Sequence, residues 1–341
     1  MQNVPLNPQD AAQRTQRIQQ GLNMLQAALS DQNKKISEFK RPSLFPSVDF
    51  NAEKDAAEIL KCLEKKTSGV PVAKLLGRRT ADQRCEIRKI FDSKSSTSLD
   101  DSIKKKFSKD CVELMQESIR STDEYLAMEI NDALRDKLDK NAIYDVVIGL
   151  SNYEVEKLKA KYQELFKKDL ITNIKTAVKD KMSQEYLVTF LAGKRPEPSK
   201  SEILLRDFAS MVDMSKAAKD AVFLANKTLK NQDCVQTVKF LCTRTKPELR
   251  ACFEELYKRV HFLGFAMAYP EEYYTDRLFQ SMKGIGTKDR ILRRICIMRS
   301  EIDMEDIKLV YRFIKNTELI KDVEADTSGE FKVMLSSLIG V

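Results

Sequence analysis

Past residue 50 the chain alternates short amphipathic runs with polar breaks, and its apolar positions recur at spacings of three and four. Ile87, Ile90 and Phe91 form one such stripe. Val155, Leu158, Tyr162 and Leu165 form a second, Leu249, Phe253 and Leu256 a third, and Met304, Ile307, Tyr311 and Ile314 a fourth. That period places each set on one helix face. A start signal precedes every stripe: Thr80 with Gln83, Ser151 with Glu154, Thr245 with Glu248, and Ser300 with Asp303. A hydroxyl followed three residues later by a Gln or Glu is the capping-box arrangement, in which each side chain takes a free backbone N–H of the other residue; Asp303 makes the last case a close variant. An apolar helix stands before the caps, as in Ile291, Leu292, Ile295 and Met298, and another before that, as in Asp276–Met282. Asp55-Ala56, Asp132-Ala133 and Asp220-Ala221 mark this earlier helix in the preceding units.

The unit therefore recurs four times as a run of short helices, and the spacing predicts an all-α fold in which helical faces are buried on neighbours. Cap-to-cap distances of 71, 94 and 55 residues are uneven. The long interval holds Gly193-Lys194-Arg195-Pro196-Glu197-Pro198, a linker between halves. The short one predicts that the third unit has lost a helix and the loop after it. The expected organisation is a helical N-terminal tail over 1–44, units over 45–120 and 121–193, a linker over 194–218, a shortened unit over 219–268 and a last unit over 269–341. In the tail, Ile18, Leu22, Leu25 and Leu29 make one narrow stripe, which suits packing on the body or a partner-binding helix. Arg41-Pro42-Ser43-Leu44-Phe45-Pro46 then breaks the helix.

Composition agrees with helix: 10 glycines and 9 prolines in 341 residues are few breakers for a many-turned β fold. A net charge of +8 is a mild excess that suits an anionic partner without demanding one. Seven cysteines form no CxxC pair, and those at 85, 252 and 296 fall on apolar faces, as expected of reduced thiols in a cytosolic protein. The single histidine, His261, excludes His-based zinc sites and multi-His catalysis. No apolar run reaches the ~20 residues of a transmembrane helix, so any membrane contact is peripheral. Nucleophile-elbow and phosphate-loop motifs are absent, which argues against an enzyme. Lys104-Lys105-Lys106 is the longest basic run and lacks interleaved aromatic residues, which argues against nucleic-acid binding.

One motif reads as chemistry. Met282-Lys283-Gly284-Ile285-Gly286-Thr287 is separated by thirty-eight residues from Asp326. Met282 falls at a helix C-terminus, where unpaired carbonyls and the negative dipole end favour a cation. Gly284 can turn the chain out of the helix, Gly286 can aim a second carbonyl inward, and Thr287 can cap the next helix. Asp326, expected on a loop before a further capping box, can close over these carbonyls. Calcium takes six to eight oxygens in a flexible shell and suits such a set. Taken alone, the two glycines need only end a helix, and Asp326 need only cap one.

Gly284-Ile285-Gly286-Thr287 with Asp326 resembles the endonexin motif of annexins. Phe45-Pro46-Ser47-Val48-Asp49-Phe50 leading into Asp55–Leu60 looks like the opening of a first annexin repeat, and Met298–Asp303 with Asp326–Gly329 looks like the fourth. The pattern looks like divergent protist annexins of the alpha-giardin kind more than vertebrate ones, a group whose members resemble cytoskeletal and membrane-associated structural components. The resemblance implies a curved α-helical disc of four repeats, each of about five short helices, with repeat III shortened. It implies Ca2+ held by the carbonyls of Met282, Gly284 and Gly286 and the carboxylate of Asp326, docking on acidic phospholipid. The other repeats depart from the motif. Repeat I has Glu64–Gly69 in place of the loop and Lys106 in place of the acid, repeat II has Arg135–Asp139 without glycine and an ill-spaced Asp180, and repeat III has Lys227–Asn231. The expected function is calcium-dependent binding to anionic membranes through repeat IV, in a cytoplasmic protein peripheral to the plasma membrane or cytoskeleton. The alternative is a structural scaffold with secondary calcium dependence that reaches a cytoskeletal or other protein through its tail.

Overall fold

A computed structural model of the chain describes residues 41–64, 69–135, 137–197, 212–229, 234–256, 269–284 and 286–340. Among the described residues there are eighteen helices and no strand. Five come first: α1 (Ala52–Glu64), α2 (Val70–Gly77), α3 (Ala81–Lys94), α4 (Leu99–Lys106) and α5 (Lys109–Ser118). Five of similar lengths follow: α6 (Thr122–Arg135), α7 (Lys140–Val147), α8 (Asn152–Phe166), α9 (Leu170–Ala177) and α10 (Lys181–Leu191). Next come α11 (Met214–Leu229), α12 (Cys234–Cys242) and α13 (Lys246–Leu256). The chain closes with α14 (Pro270–Met282), α15 (Asp289–Arg299), α16 (Met304–Lys315), α17 (Leu319–Asp326) and α18 (Gly329–Ile339).

The first helix of each run packs on the third: α1 on α3, α6 on α8, α11 on α13 and α14 on α16. The stripes read from the sequence supply these contacts. Ile87, Phe91, Val155, Leu158, Tyr162, Ile307 and Tyr311 are all buried, each large apolar side chain contributing about 1.5–3 kcal/mol. Leu165 and Ile314 are exceptions and lie exposed at the ends of their stripes. Helix α18 packs on α2, which joins the end of the chain to its beginning. Gly77 permits that approach, since a Cβ there would fall 2.6 Å from Ser337 Cβ.

Buried ion pairs lock the first, second and last runs together. The Arg294 guanidinium on α15 reaches Glu129 on α6 and Asp145 on α7. Asp145 also accepts from Arg277 at 2.8 Å and from the Tyr273 hydroxyl at 2.7 Å, both on α14. Arg293 pairs with Glu113 and Glu117 of α5.

Three of the four expected caps form. Thr80 with Gln83 and Ser151 with Glu154 make reciprocal capping boxes. Thr245 accepts from the Glu248 N–H while Glu248 accepts from the Thr245 N–H. The fourth does not form. Ser300 continues the α15 geometry, Asp303 is the N-cap of α16, and no side-chain cap bond is made there. The Asp303 carboxylate is instead drawn into a buried pair with Arg299, a charge-assisted contact that outweighs a single cap bond.

The Asp-Ala marks also divide. Asp55 and Asp220 each take a bidentate Arg, Arg79 and Arg244, the residue just before the cap. Asp132 has no such partner and sits late in α6, facing Arg290. Two boundaries shift as well. Met214 opens α11 inside the stretch read as linker. Residues 41–44, read as the end of the tail, belong to the body: Leu44 is buried, and the Ser43 and Leu44 N–H groups both donate to the Ser300 carbonyl. The tail stripe at Ile18, Leu22, Leu25 and Leu29, the cysteine at 234 with respect to its side chain, His261 and the stretch expected to be deleted after α13 lie outside the described residues.

Candidate metal centre

Helix α14 carries the glycine motif to its end. Tyr274 and Leu278 anchor the helix in the core, and Met282 is its last residue. The chain then leaves through Gly284 at φ +104° and Gly286 at φ +81°. A Cβ at either position would meet nothing within 4 Å, so glycine is required there by backbone conformation and not by crowding. The loop is closed by the Lys288 N–H, which donates to the Ser281 carbonyl at 2.8 Å.

The distant acid is brought to this loop. Thr287 does not cap α15, whose N-cap is Lys288; its hydroxyl donates to the Asp326 carbonyl at 3.1 Å. Asp326 is not on a loop but is the last residue of α17, and Ser328 precedes α18 without a side-chain cap bond. Asp326 Oδ2 is buried and has no hydrogen-bond partner. A buried carboxylate oxygen left bare is costly unless a cation completes it. The surroundings add to that demand. Desolvation first, then the neighbouring charges of Asp110, Asp326 and Glu113, push the Asp289 carboxyl above its ordinary value against the opposing pull of Arg293.

The residues therefore fit a hard cation held by oxygens. Among the described residues no cluster of three His, Cys, Asp or Glu forms a conventional side-chain cage, so a cation here would have to draw on backbone carbonyls. Lys283 and Lys288 are exposed beside the loop, and the Lys283 ammonium lies 5.7 Å from the Phe279 ring centre.

The corresponding places elsewhere differ. Helix α4 ends on Lys106, whose ammonium donates to the carbonyls of Cys62 at 2.9 Å and Leu63 at 3.4 Å. Helix α9 ends on Ala177. Asp180 is occupied as the N-cap of α10 and faces Lys140, while Asp139 caps α7. Six described cysteines are free thiols. Burial pushes Cys111, Cys252 and Cys296 up to about 12, so these thiols stay protonated and inert.

Comparison with known proteins agrees with this architecture. The protein-family model for annexins matches residues 273–338, the stretch that holds the loop and the acid. Human annexin A13 is 25% identical over 314 residues, covering 85% of this chain and 96% of its own. The structure of annexin III superposes with a TM-score of 0.77 at 22% identity, covering 90% of this chain and 99% of its own. Calcium-bound alpha-14 giardin superposes with a TM-score of 0.72 at 16% identity, covering 85% of this chain and all of its own, a likeness of fold. The chain is thus similar to annexins in fold, and its residues 273–338 match the family's model. No described helix is long and apolar enough to cross a membrane.

Proposed function

We propose that this protein binds Ca2+ through the carbonyls of Met282, Gly284 and Gly286 and the carboxylate of Asp326, and thereby docks on anionic phospholipid. The observation that carries this reading is the buried, unpartnered Asp326 oxygen beside a loop opened by two left-handed glycines. The Met282 carbonyl is at the negative end of α14, the glycine carbonyls are freed from helical bonding, and Asp326 supplies the formal charge. Four protein groups leave a calcium shell of six to eight oxygens incomplete. Water or a lipid phosphate completes it, which links the ion to the membrane. Lys283 and Lys288 add nonspecific attraction of about 1 kcal/mol per basic residue near an anionic bilayer. With a single complete loop, affinity without lipid falls on the order of 10⁻⁴–10⁻³ M. The repeat boundaries expected from the sequence make this the fourth repeat of an annexin core.

The test is sedimentation with phosphatidylserine vesicles, in calcium or chelator, for the wild type and Asp326→Ala. Pelleting confined to wild type with calcium is expected; equal pelleting in all four conditions sinks the reading. A second reading, a scaffold that reaches a protein partner through its tail, has one observation in its favour. Phe313 is 89% exposed on α16, with Leu309 and Ile314 also exposed, on the helix whose first turn holds Arg41 through Asp306. A pulldown comparing full-length protein with one lacking residues 1–40 tests it, and identical captured partners would remove the tail's role.

A further inference from the structure

We propose that the first helical run contains a cation site whose occupant is the chain's own Lys106 ammonium. The proposal uses the reading of the Met282–Asp326 loop only as a parallel. Helices α4 and α17 are both eight residues long, and both open on a buried leucine, Leu99 and Leu319. They end at equivalent places, α17 on Asp326 and α4 on Lys106. In the last run the corner after α17 lies against the loop after α14, tied by the Thr287 hydroxyl. In the first run the corner after α4 lies against the end of α1 and against Gly69. The Phe107 ring occupies the space over Gly69, where a Cβ would come within 1.9 Å of it. The Gly69 N–H is held from the other side by Glu330 at 3.1 Å.

Lys106 then does from within what an ion would do from without. Cys62 and Leu63 are among the last residues of α1, so their carbonyls lack intrahelical partners and lie at the negative end of the helix. An ammonium has three donors and no acceptor, and Lys106 directs it at both carbonyls. The positive charge of the site is covalently attached. The first run is therefore held closed at every calcium concentration, and the calcium response of the whole protein is left to the last run.

Charge reversal tests this by turning a self-filled site into one that needs an external ion. Thermal unfolding by far-UV circular dichroism is compared, in chelator and in millimolar calcium, for Asp326→Asn alone and combined with Lys106→Met, Lys106→Arg or Lys106→Glu. The Asp326→Asn background silences the last-run site, so failure there is separable from failure here. Lys106→Met is expected to lower Tm by roughly 2–4 °C in both conditions, and Lys106→Arg to keep most of that stability. Lys106→Glu is expected to fall furthest in chelator and to regain several degrees in calcium, because the carboxylate and the two carbonyls then face a vacancy for a cation. If Lys106→Glu does not fold in chelator, its refolding yield with and without calcium is the readout, and higher yield with calcium supports the site. Lys106→Met within one degree of its parent, or Lys106→Glu with no calcium response in Tm or yield, overturns the proposal.

Discussion

Replacing Arg294 with Met probes how the last run is fastened to the second. Arg294 is 1% exposed, and its two carboxylate partners, Glu129 and Asp145, are 5% and 0% exposed. Burial works against the guanidinium charge, but Glu129, Tyr125 and Asp145 outweigh it, so its pKa is raised and it stays charged. The two partners fare differently once it is gone. Asp145 keeps Arg277 and the Tyr273 hydroxyl. Among the described residues Glu129 keeps only Arg290, at 3.5 Å and half-exposed. An ion pair broken from one side leaves an uncompensated buried charge and costs about 3–5 kcal/mol. Almost all of that cost falls on Glu129, so adding Glu129→Gln to Arg294→Met should recover more than about 1 kcal/mol. Urea unfolding followed by far-UV circular dichroism measures it; tryptophan fluorescence cannot, because the chain has no tryptophan. Arg294→Met unfolding within about 1 kcal/mol of wild type, or Glu129→Gln making the variant worse, would refute a buried carboxylate stranded at Glu129.

Three further outcomes follow from the site and its caps. Asp289 has a raised folded pKa, so its stabilising contribution is complete below its ordinary value of 3.8 and is lost as pH rises through the raised value. Asp289→Asn should therefore be more stable than wild type at neutral pH in chelator. That gain should vanish as the solution is acidified below the ordinary carboxylate range and shrink when calcium is added, as thermal melts against pH will show. Gly286→Ala meets no steric obstacle, but its left-handed backbone costs a non-glycine residue about 1–2 kcal/mol; the calcium midpoint for vesicle binding should rise roughly 5–30-fold, converted at 1.4 kcal/mol per decade. Ser151→Ala should cost about 1 kcal/mol in urea unfolding, whereas Ser300→Ala should cost clearly less, since the Ser300 hydroxyl caps no helix N-terminus.

The sequence made the helices and the loop legible for a physical reason. Periods of three and four and reciprocal caps such as Ser151 with Glu154 are local signals, carried by residues that act on their own turn of helix. The two glycines were equally readable, because positive φ is a demand that few other residues meet. Contacts between elements were not. That Arg294 reaches Glu129 and Asp145, or that Lys106 folds back onto the carbonyls of Cys62 and Leu63, depends on helix packing that spacing does not encode. The failed expectation at Ser300 has the same origin: Asp303 was read as a local cap, and a buried arginine one turn earlier claimed it. Asp326 was read as a loop residue because Thr327, Ser328 and Gly329 after it are helix-starting residues. In the structure they mark the corner between two helices, and the acid closes the first of them.

The central claim is that one carboxylate, Asp326, couples calcium to membrane binding. A calcium titration of binding to phosphatidylserine vesicles, for wild type and Asp326→Asn, tests it most directly. The account predicts a saturable wild-type curve with a slope near first order, because Lys106 already fills the first run. Removing the charged ligand should move the midpoint at least about tenfold higher, the effect of a lost charge-assisted contact of 1.5–3 kcal/mol. Superimposable curves for the two proteins would contradict it.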